Sequence, residues 1–258
     1  MEAQERDRLI RRAGKVPVLA WRGLAQLLWP AVCHNCGDGI SDADNGLCRK
    51  CWDEILTCTA GDFCPRCGRD ASRYGLIAGA CGACQNESFH FDGIARVGVY
   101  ADALQQMILA FKHDRTELVS ALAPLADAAL QGSRFHDDIE FFAPVPLHWT
   151  RRLRRGYNQS LLIAKRLSDP QARISTDLVR IRRTRIQPQV ATPAARARNV
   201  AGAFVVREGH DLSGRTVCLV DDIKTSGATL SECAKTLKEA DAIKVYAVVL
   251  AVAGQKPV

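Results

Sequence analysis

Asp221 and Asp222 stand side by side at the end of the apolar run Val217-Cys218-Leu219-Val220, and Ile223-Lys224-Thr225-Ser226-Gly227-Ala228-Thr229-Leu230 follows them. The run reads as a buried strand, and the residues from Ala228 onward carry helical spacing. Two carboxylates at the carboxyl end of a strand can accept hydrogen bonds from the vicinal hydroxyls of a ribose. They can also hold Mg2+, directly or through water. The hydroxyls of Thr225, Ser226 and Thr229 suit a phosphate, as do the close approach that Gly227 permits and the N–H groups of the helix start. A ribose phosphate is the ligand class this order of residues fits. Asp and Ser also serve as ordinary helix caps, but strand, paired acids, loop and helix in sequence form a far more specific pattern than a cap.

The second chemical set is eight of the eleven cysteines, arranged as four Cys-x-x-Cys pairs. Cys33/Cys36 and Cys48/Cys51 are separated by eleven residues, Cys64/Cys67 and Cys81/Cys84 by thirteen. Each such turn presents two thiolates to one metal, and two turns complete a tetrahedral tetrathiolate site suited to zinc. Gly37 and Gly68 directly follow the second cysteine of their pairs, where glycine lets the turn close. The spacing predicts two zinc ribbons in series, with a cross-braced pairing as the less economical arrangement. Closed four-cysteine sites have no open coordination position, so both Zn2+ ions are expected to be structural. Redox disulfides are the competing reading. Cys218 and Cys233 sit in apolar patterns as small core residues.

These sets must be carried by separate parts of the 258-residue chain. Residues 1–31 begin charged and continue as an amphipathic, helix-like segment stopped at Pro30. Residues 32–88 hold the cysteines and lack long apolar runs. From 89 to 258 strands alternate with helices: a strand over 91–100, helices over 104–111 and 118–130, and a strand over 139–145. A helix over 160–167 follows, then short strand 204–206, strand 217–220, helix 228–240 and strand 244–253. Near-continuous apolar strands separated by helices predict an α/β fold with a mostly parallel, twisted sheet covered on both faces.

Hydrophobic residues make up 47% and charged residues 24%, the composition of an ordinary globular protein. No segment is long and apolar enough to span a membrane, and the acidic start lacks a signal core, which points to the cytoplasm. The net charge of +7 is local: residues 148–200 carry 13 Lys and Arg against 2 acids, and the rest of the chain is net acidic. That excess describes one surface or pocket.

The stretch from Val220 to Leu230 resembles the 5-phosphoribosyl 1-pyrophosphate (PRPP) motif of type I phosphoribosyltransferases. The chain as a whole, from about Leu27 to Ala251, resembles the ComF family, competence-associated proteins that join a double zinc ribbon to such a domain. Supporting segments are Phe111-Lys112, Pro144-Val145-Pro146-Leu147-His148, Arg151-Arg152-Leu153-Arg154-Arg155-Gly156-Tyr157-Asn158-Gln159, Gln189 through Arg196, Arg198-Asn199-Val200 and Gly202-Ala203-Phe204. Lys224 departs from the usual uncharged residue and either biases the loop further toward anions or, the favoured expectation, points to solvent; Ser226 keeps the hydroxyl of a common threonine. The resemblance implies PRPP binding by Asp221, Asp222, Lys224, Thr225, Ser226, Gly227, Ala228 and Thr229, with Val145 and Pro146 meeting pyrophosphate. It also implies that Lys112, Arg151, Arg152 and Arg155 stabilise the departing pyrophosphate, the arginines on a loop that Gly156 allows to close. A solvated helix face is the plainer reading of Arg151 and Arg155. His113 and His148 carry no specific role.

Three functions compete. The first is Mg2+-dependent transfer of a phosphoribosyl group to an unknown acceptor, whose pocket is expected around 100–116 and 246–256, with no general base evident. The second is a non-enzymatic module that binds single-stranded DNA through the basic segment, Trp149 and Tyr157, in company with a competence or DNA-processing protein. The third is a PRPP sensor without turnover.

Overall fold

The computed structural model describes residues 31–40, 46–85, 87–169, 171–184 and 192–254. The expected helical segment before residue 31 lies outside them, as do residues 189–191.

Five strands form one parallel sheet: β1 (Gly93–Val99), β2 (Phe141–Pro144), β3 (Arg173–Ile174), β6 (Thr216–Lys224) and β7 (Lys244–Val252), in the order β1-β7-β6-β2-β3. β4 (Leu178–Arg180) and β5 (Phe204–Val206) pair antiparallel as a separate two-stranded ribbon. The helices are α1 (Arg49–Thr59), α2 (Gly82–Gln85), α3 (Asp102–Lys112), α4 (Val119–Gln131), α5 (Trp149–Arg155), α6 (Gln159–Ala164), α7 (Pro193–Val200) and α8 (Ala228–Glu239).

The strands are apolar throughout because both sheet faces are covered. Ala95, Phe142, Cys218, Val220 and Val248 enter one hydrophobic cluster with α3, α4 and α6. Phe141, Ala143, Leu219, Ala247 and Val249 enter the opposite cluster with Leu230, Cys233, Ala234 and Leu237 of α8. Alternate residues therefore serve opposite faces, as the pleat dictates.

Both cysteine units pack against this sheet. Ile55 and Cys58 of α1 join the first cluster, against α3 and β1. The approach is so close that a Cβ on Gly98 would lie 2.3 Å from the Cys58 carbonyl oxygen. The second unit lies along edge strand β1, where Ile94 donates its N–H to the Pro65 carbonyl (2.8 Å). Arg96, only 4% exposed, donates to the Gly68 carbonyl (2.7 Å), pairs with the Asp70 carboxylate and lies over the Phe63 ring.

Two expectations change. β6 does not stop at Val220 but runs through both acids to Lys224, because β7 supplies backbone partners as far as Lys224 opposite Val252. The arginines from 151 to 155 form helix α5 rather than a loop. Gly156 ends that helix in the left-handed conformation (φ 77°), with its N–H bonded to the Arg152 carbonyl.

Candidate functional site

β2 leads outward to β3, whereas its neighbour β6 leads through α8 to β7 on the other side. The crevice at the carboxyl ends of β2 and β6 is therefore the topological switch point, where open α/β sheets bind ligands. Val145 and the acid pair flank it.

Asp221 and Asp222 are half-buried there. The Asp221 carboxylate accepts from the Asp222 N–H (2.9 Å) and the Ser160 hydroxyl (3.2 Å). Asp222 pairs with Lys112 Nζ at the end of α3 (3.0 Å), with both side chains under one-fifth exposed. Burial, and next the charge of Asp222, pushes the Asp221 carboxyl up to about 7. Two acids this close need a cation or hydroxyl donors to share the site.

Past Lys224 the chain turns through Thr225, Ser226 and Gly227, whose φ of 81° places it in the left-handed conformation as N-cap of α8. A Cβ on Gly227 would also meet the Phe89 ring at 2.9 Å, so both conformation and space demand glycine. The Ala228 N–H donates to the Ser226 hydroxyl (3.4 Å), and the start of α8 has the local geometry that suits an anion.

Lys224 is corrected by the structure. It is 1% exposed, not solvent-facing, because its register opposite Val252 turns it toward the second cysteine unit. Its ammonium lies 5.2 Å from the Phe89 ring centroid, and burial followed by Arg69 pushes its pKa down. Its stem packs against the turn, where a Cβ on Gly227 would lie 3.0 Å from the Lys224 Cε.

Val145 is buried, its N–H given to the Val220 carbonyl (2.9 Å) and its carbonyl held by Asn158 Nδ2 (3.1 Å). It supports the loop, and Pro146 begins the part that borders the crevice. Pro146, Arg152 and Arg180 line a cleft of about 280 Å3. Arg151 turns aside and donates to the Thr184 carbonyl (2.8 Å). Burial, then Arg155, Arg183 and Arg154, depress its pKa: this is a cluster of like charges suited to a polyanion. Arg155 sits one turn beyond Arg151 on the same helix. His148 is buried and satisfied, its Nδ1 2.9 Å from the Thr150 hydroxyl.

Sequence reasoning gave Gly156 a hinge role and Tyr157 a stacking role and used Asn158 and Gln159 only as a family signature; the structure gives Tyr157 and Asn158 positioning contacts beside the acid pair. Tyr157 donates its hydroxyl to the Phe111 carbonyl and accepts the Asp114 N–H (3.1 Å), fixing the end of α3 that carries Lys112. Asn158 caps α6 and clamps Val145, and Ser160 reaches Asp221. Arg180 was also missed, since a lone strand arginine carries no spacing signal.

The cysteines form two clusters, Cys33/Cys36/Cys48/Cys51 and Cys64/Cys67/Cys81/Cys84, with all sulfurs of each within 4.8 Å of one another. The ribbons are thus serial, not cross-braced. Sulfur–sulfur distances are 3.6 Å (Cys36–Cys48), 3.8 Å (Cys64–Cys84), 3.6 Å (Cys67–Cys81) and 3.8 Å (Cys81–Cys84). A tetrahedron with zinc–sulfur bonds of about 2.3 Å has edges of about 3.8 Å, so each cluster fits Zn2+ and none is a disulfide. Gly37 and Gly68 close their turns on the Cys33 and Cys64 carbonyls (2.9 and 2.7 Å). Burial raises the Cys64 thiol, but the N–H groups of Cys67, Cys81 and Arg66 overcome it and hold the thiol at about 7, ready for metal.

No helix among the described residues is long and apolar enough to cross a membrane.

The double zinc ribbon domain family matches residues 24–85. Competence protein F of Haemophilus influenzae is 29% identical over 214 residues, covering 80% of this chain and 90% of that protein. DNA utilization protein YhgH of Escherichia coli K12 is 30% identical over 219 residues, covering 81% and 91%. Competence protein ComFC of Bacillus subtilis is 26% identical over 204 residues, covering 76% and 79%. With the serial four-cysteine clusters, the parallel sheet and this likeness along four-fifths of its length, the chain belongs to the ComF family of competence and DNA-utilisation proteins.

Proposed function

We propose that the chain binds PRPP at the β2/β6 crevice and transfers its phosphoribosyl group to an acceptor, releasing pyrophosphate, in a process of DNA uptake or utilisation. The observation that carries this reading is the acid pair at the switch point, contiguous with the glycine-capped turn of α8. The turn from Thr225 to Thr229 holds the 5-phosphate, and Asp221 and Asp222 accept from the ribose hydroxyls. The oxygen-only donor set and the need of two adjacent carboxylates for a cation fit Mg2+. Asp221 and Asp222 would hold it, directly or through water, and bound there it would offset charge on the pyrophosphate. Lys112 and Arg152 supply further positive charge on the leaving-group side, where negative charge builds in the transition state.

Calorimetry with PRPP and Mg2+ tests this. The wild type should bind, and Asp221→Ala with Asp222→Ala should lose binding by at least about a hundredfold. Absence of binding by the wild type ends the proposal.

A second reading is favoured by one surface. On α5, Trp149 (64% exposed) and Leu153 (76% exposed) stand among exposed Arg152 and Arg154, a platform on which bases of single-stranded DNA can stack beside cations. The printed names of the relatives mention competence and DNA utilisation. Tyr157 leaves the platform, because its hydroxyl is committed to α3. Salt-dependent DNA affinity that survives loss of both acids but falls on Trp149→Ala supports a DNA-binding role separate from PRPP. Affinity unchanged by Trp149→Ala rejects it.

A further inference from the structure

The arginine cleft beside α5 offers more than a leaving pyrophosphate would use. It lies between α5 and α6 on one side and the β4/β5 ribbon on the other, and encloses about 280 Å3. Three guanidiniums line it: Arg152 from α5, Arg180 at the end of β4 and Arg207 just beyond β5. No acid is among its described lining residues. Much of the remaining wall is apolar, Leu147, Leu161 and Leu178 among it, and Trp149 lines the cleft with 64% of its surface exposed. Cations beside an apolar wall and an open indole suit an anion that also carries a flat ring.

The polar groups are set for a phosphate. The Arg180 guanidinium lies 5.2 Å from the Phe204 ring centroid and donates to the Thr184 hydroxyl, which together fix its plane. Thr184 is itself anchored, its carbonyl accepting from Arg151 (2.8 Å). Burial, and next the charge of Arg151, pushes the Arg180 pKa down, as befits a guanidinium short of a counter-anion. Arg152 and Arg207 are exposed, and their planar forks can turn to a phosphate as it arrives. Thr176 adds a hydroxyl. Asn158 adds none, because its amide is committed to the Val145 carbonyl and the Ser160 N–H.

We propose that this cleft is a binding site for a nucleoside 5′-phosphate, with the phosphate on Arg152, Arg180 and Arg207 and the base on Trp149. An indole face accepts any base, and the aliphatic wall shields the nucleoside from water. Inorganic phosphate leaves that wall uncovered, and an uncharged nucleoside leaves the guanidiniums without an anion. The ligand must carry both parts. The volume admits one nucleotide unit, supplied either as a free mononucleotide or as the phosphorylated 5′ end of a single strand. Neither the acid pair nor the turn from Thr225 to Thr229 lines the cleft, so the assignment does not depend on PRPP binding.

Calorimetry with deoxyadenosine monophosphate tests the site in the full chain. The wild type should bind it, and should bind deoxyadenosine and inorganic phosphate at least about tenfold more weakly. Arg207→Gln should weaken the mononucleotide by about tenfold, and Trp149→Ala by about fivefold or more, with Trp149→Phe recovering most of that loss. Arg207→Gln should leave the affinity for PRPP with Mg2+ within about twofold of the wild type, since Arg207 lies outside the crevice. Two oligodeoxyadenylates, one 5′-phosphorylated and one with a 5′-hydroxyl, separate the sources. A preference of about tenfold for the phosphorylated strand, abolished by Arg207→Gln, assigns the site to strand ends. Equal affinity for the two strands, with mononucleotide binding still sensitive to Arg207 and Trp149, assigns it to free nucleotide. No binding of the mononucleotide, or binding that neither Arg207→Gln nor Trp149→Ala alters, overturns the proposal. Displacement by PRPP together with insensitivity to Arg207→Gln places the nucleotide on the turn before α8 and overturns it as well. If PRPP fails to bind, the outcome at this cleft is read unchanged.

Discussion

Lys112→Met isolates the electrostatics of the acid pair. The methionine keeps the stem of the lysine and removes the ammonium that lies 3.0 Å from Asp222, with the two side chains 18% and 14% exposed. At an effective dielectric near 20, unit charges at that separation attract by about 5 kcal/mol before desolvation is subtracted. Measured pairs bracket the net effect between under ~1 kcal/mol at the surface and ~3–5 kcal/mol when one partner of a buried pair is deleted. A partly buried pair belongs between them, so the loss should be about 2 kcal/mol. Its pH dependence has a definite sign. Asp221 titrates near 7 in the folded chain through burial and Asp222, with Lys112 pulling the other way. The ordinary value is about 4. The folded chain therefore holds a proton that the unfolded chain has lost between about pH 4 and 7, and stability declines as pH rises through that window. Removing Lys112 extends the window upward. Urea unfolding in magnesium-free buffer should give a deficit of about 2 kcal/mol at pH 8, narrowing toward about 1 kcal/mol at pH 5. With Asp222→Asn in a double-mutant cycle, the coupling at pH 8 should exceed ~1 kcal/mol. A deficit independent of pH, or coupling below ~0.5 kcal/mol, would refute the reasoning.

Arg96→Met should cost about 3 kcal/mol, because it strips charged hydrogen bonds from Gly68 and Asp70 at the ribbon–sheet contact; urea unfolding with parallel zinc-release kinetics reads it, and a loss below ~1 kcal/mol contradicts the assigned role. Glu140 accepts from the Thr216 N–H and from Arg215, in that order of effect, and both hold its carboxyl low. Its contribution is accordingly complete at neutral pH and lost as acid protonates it. The stability gap between wild type and Glu140→Gln should close below about pH 4, as acid titration of unfolding will reveal. Native mass spectrometry should count two Zn2+ per chain, Cys36→Ser reducing the first ribbon's zinc retention and Cys67→Ser the second's. Tyr157→Phe removes the hydroxyl that ties the connection between α5 and α6 to α3 and should weaken PRPP binding by about threefold to tenfold; calorimetry showing no change would disconnect Tyr157 from Lys112.

The cysteine pairs were legible because metal ligation is local: two turns at fixed spacing determine a tetrahedron, and the sulfur distances match it. The parallel sheet was legible for a related reason, since strands buried on both faces are apolar at every position. The acid pair and its turn were equally plain, being contiguous in sequence. Lys224 was not. Its direction depends on the register of β6 against β7, a long-range pairing that the sequence neighbourhood does not encode. The positioning roles of Ser160, Tyr157 and Asn158 escaped because their partners lie 61, 46 and 13 residues away. The helical state of the arginine segment was visible as four-residue spacing, but its boundary required Gly156 to be seen in the left-handed conformation.

The position of the ribbons follows from what the sheet lacks. β1 is an edge strand, buried at all seven of its residues, yet no long helix among the described residues covers its outer part on the α8 side. The second ribbon occupies that place, with Gly68 so near Ile94 and Val252 that a Cβ would press on both. Phe89 stacks on Phe91 at 4.9 Å, packs against the second cysteine cluster and faces the Lys224 ammonium. A tetrathiolate zinc centre carries two negative charges, and Lys224 and Arg69 are cations near the second cysteine cluster. The same lysine immediately precedes Thr225. Zinc held by the second ribbon would thereby organise Lys224, the residue before the proposed phosphate turn, through packing and charge and without contact between metal and ligand. Loss of that zinc by Cys67→Ser should weaken PRPP binding more than loss of the first by Cys36→Ser, and equal effects on calorimetric affinity would break the link.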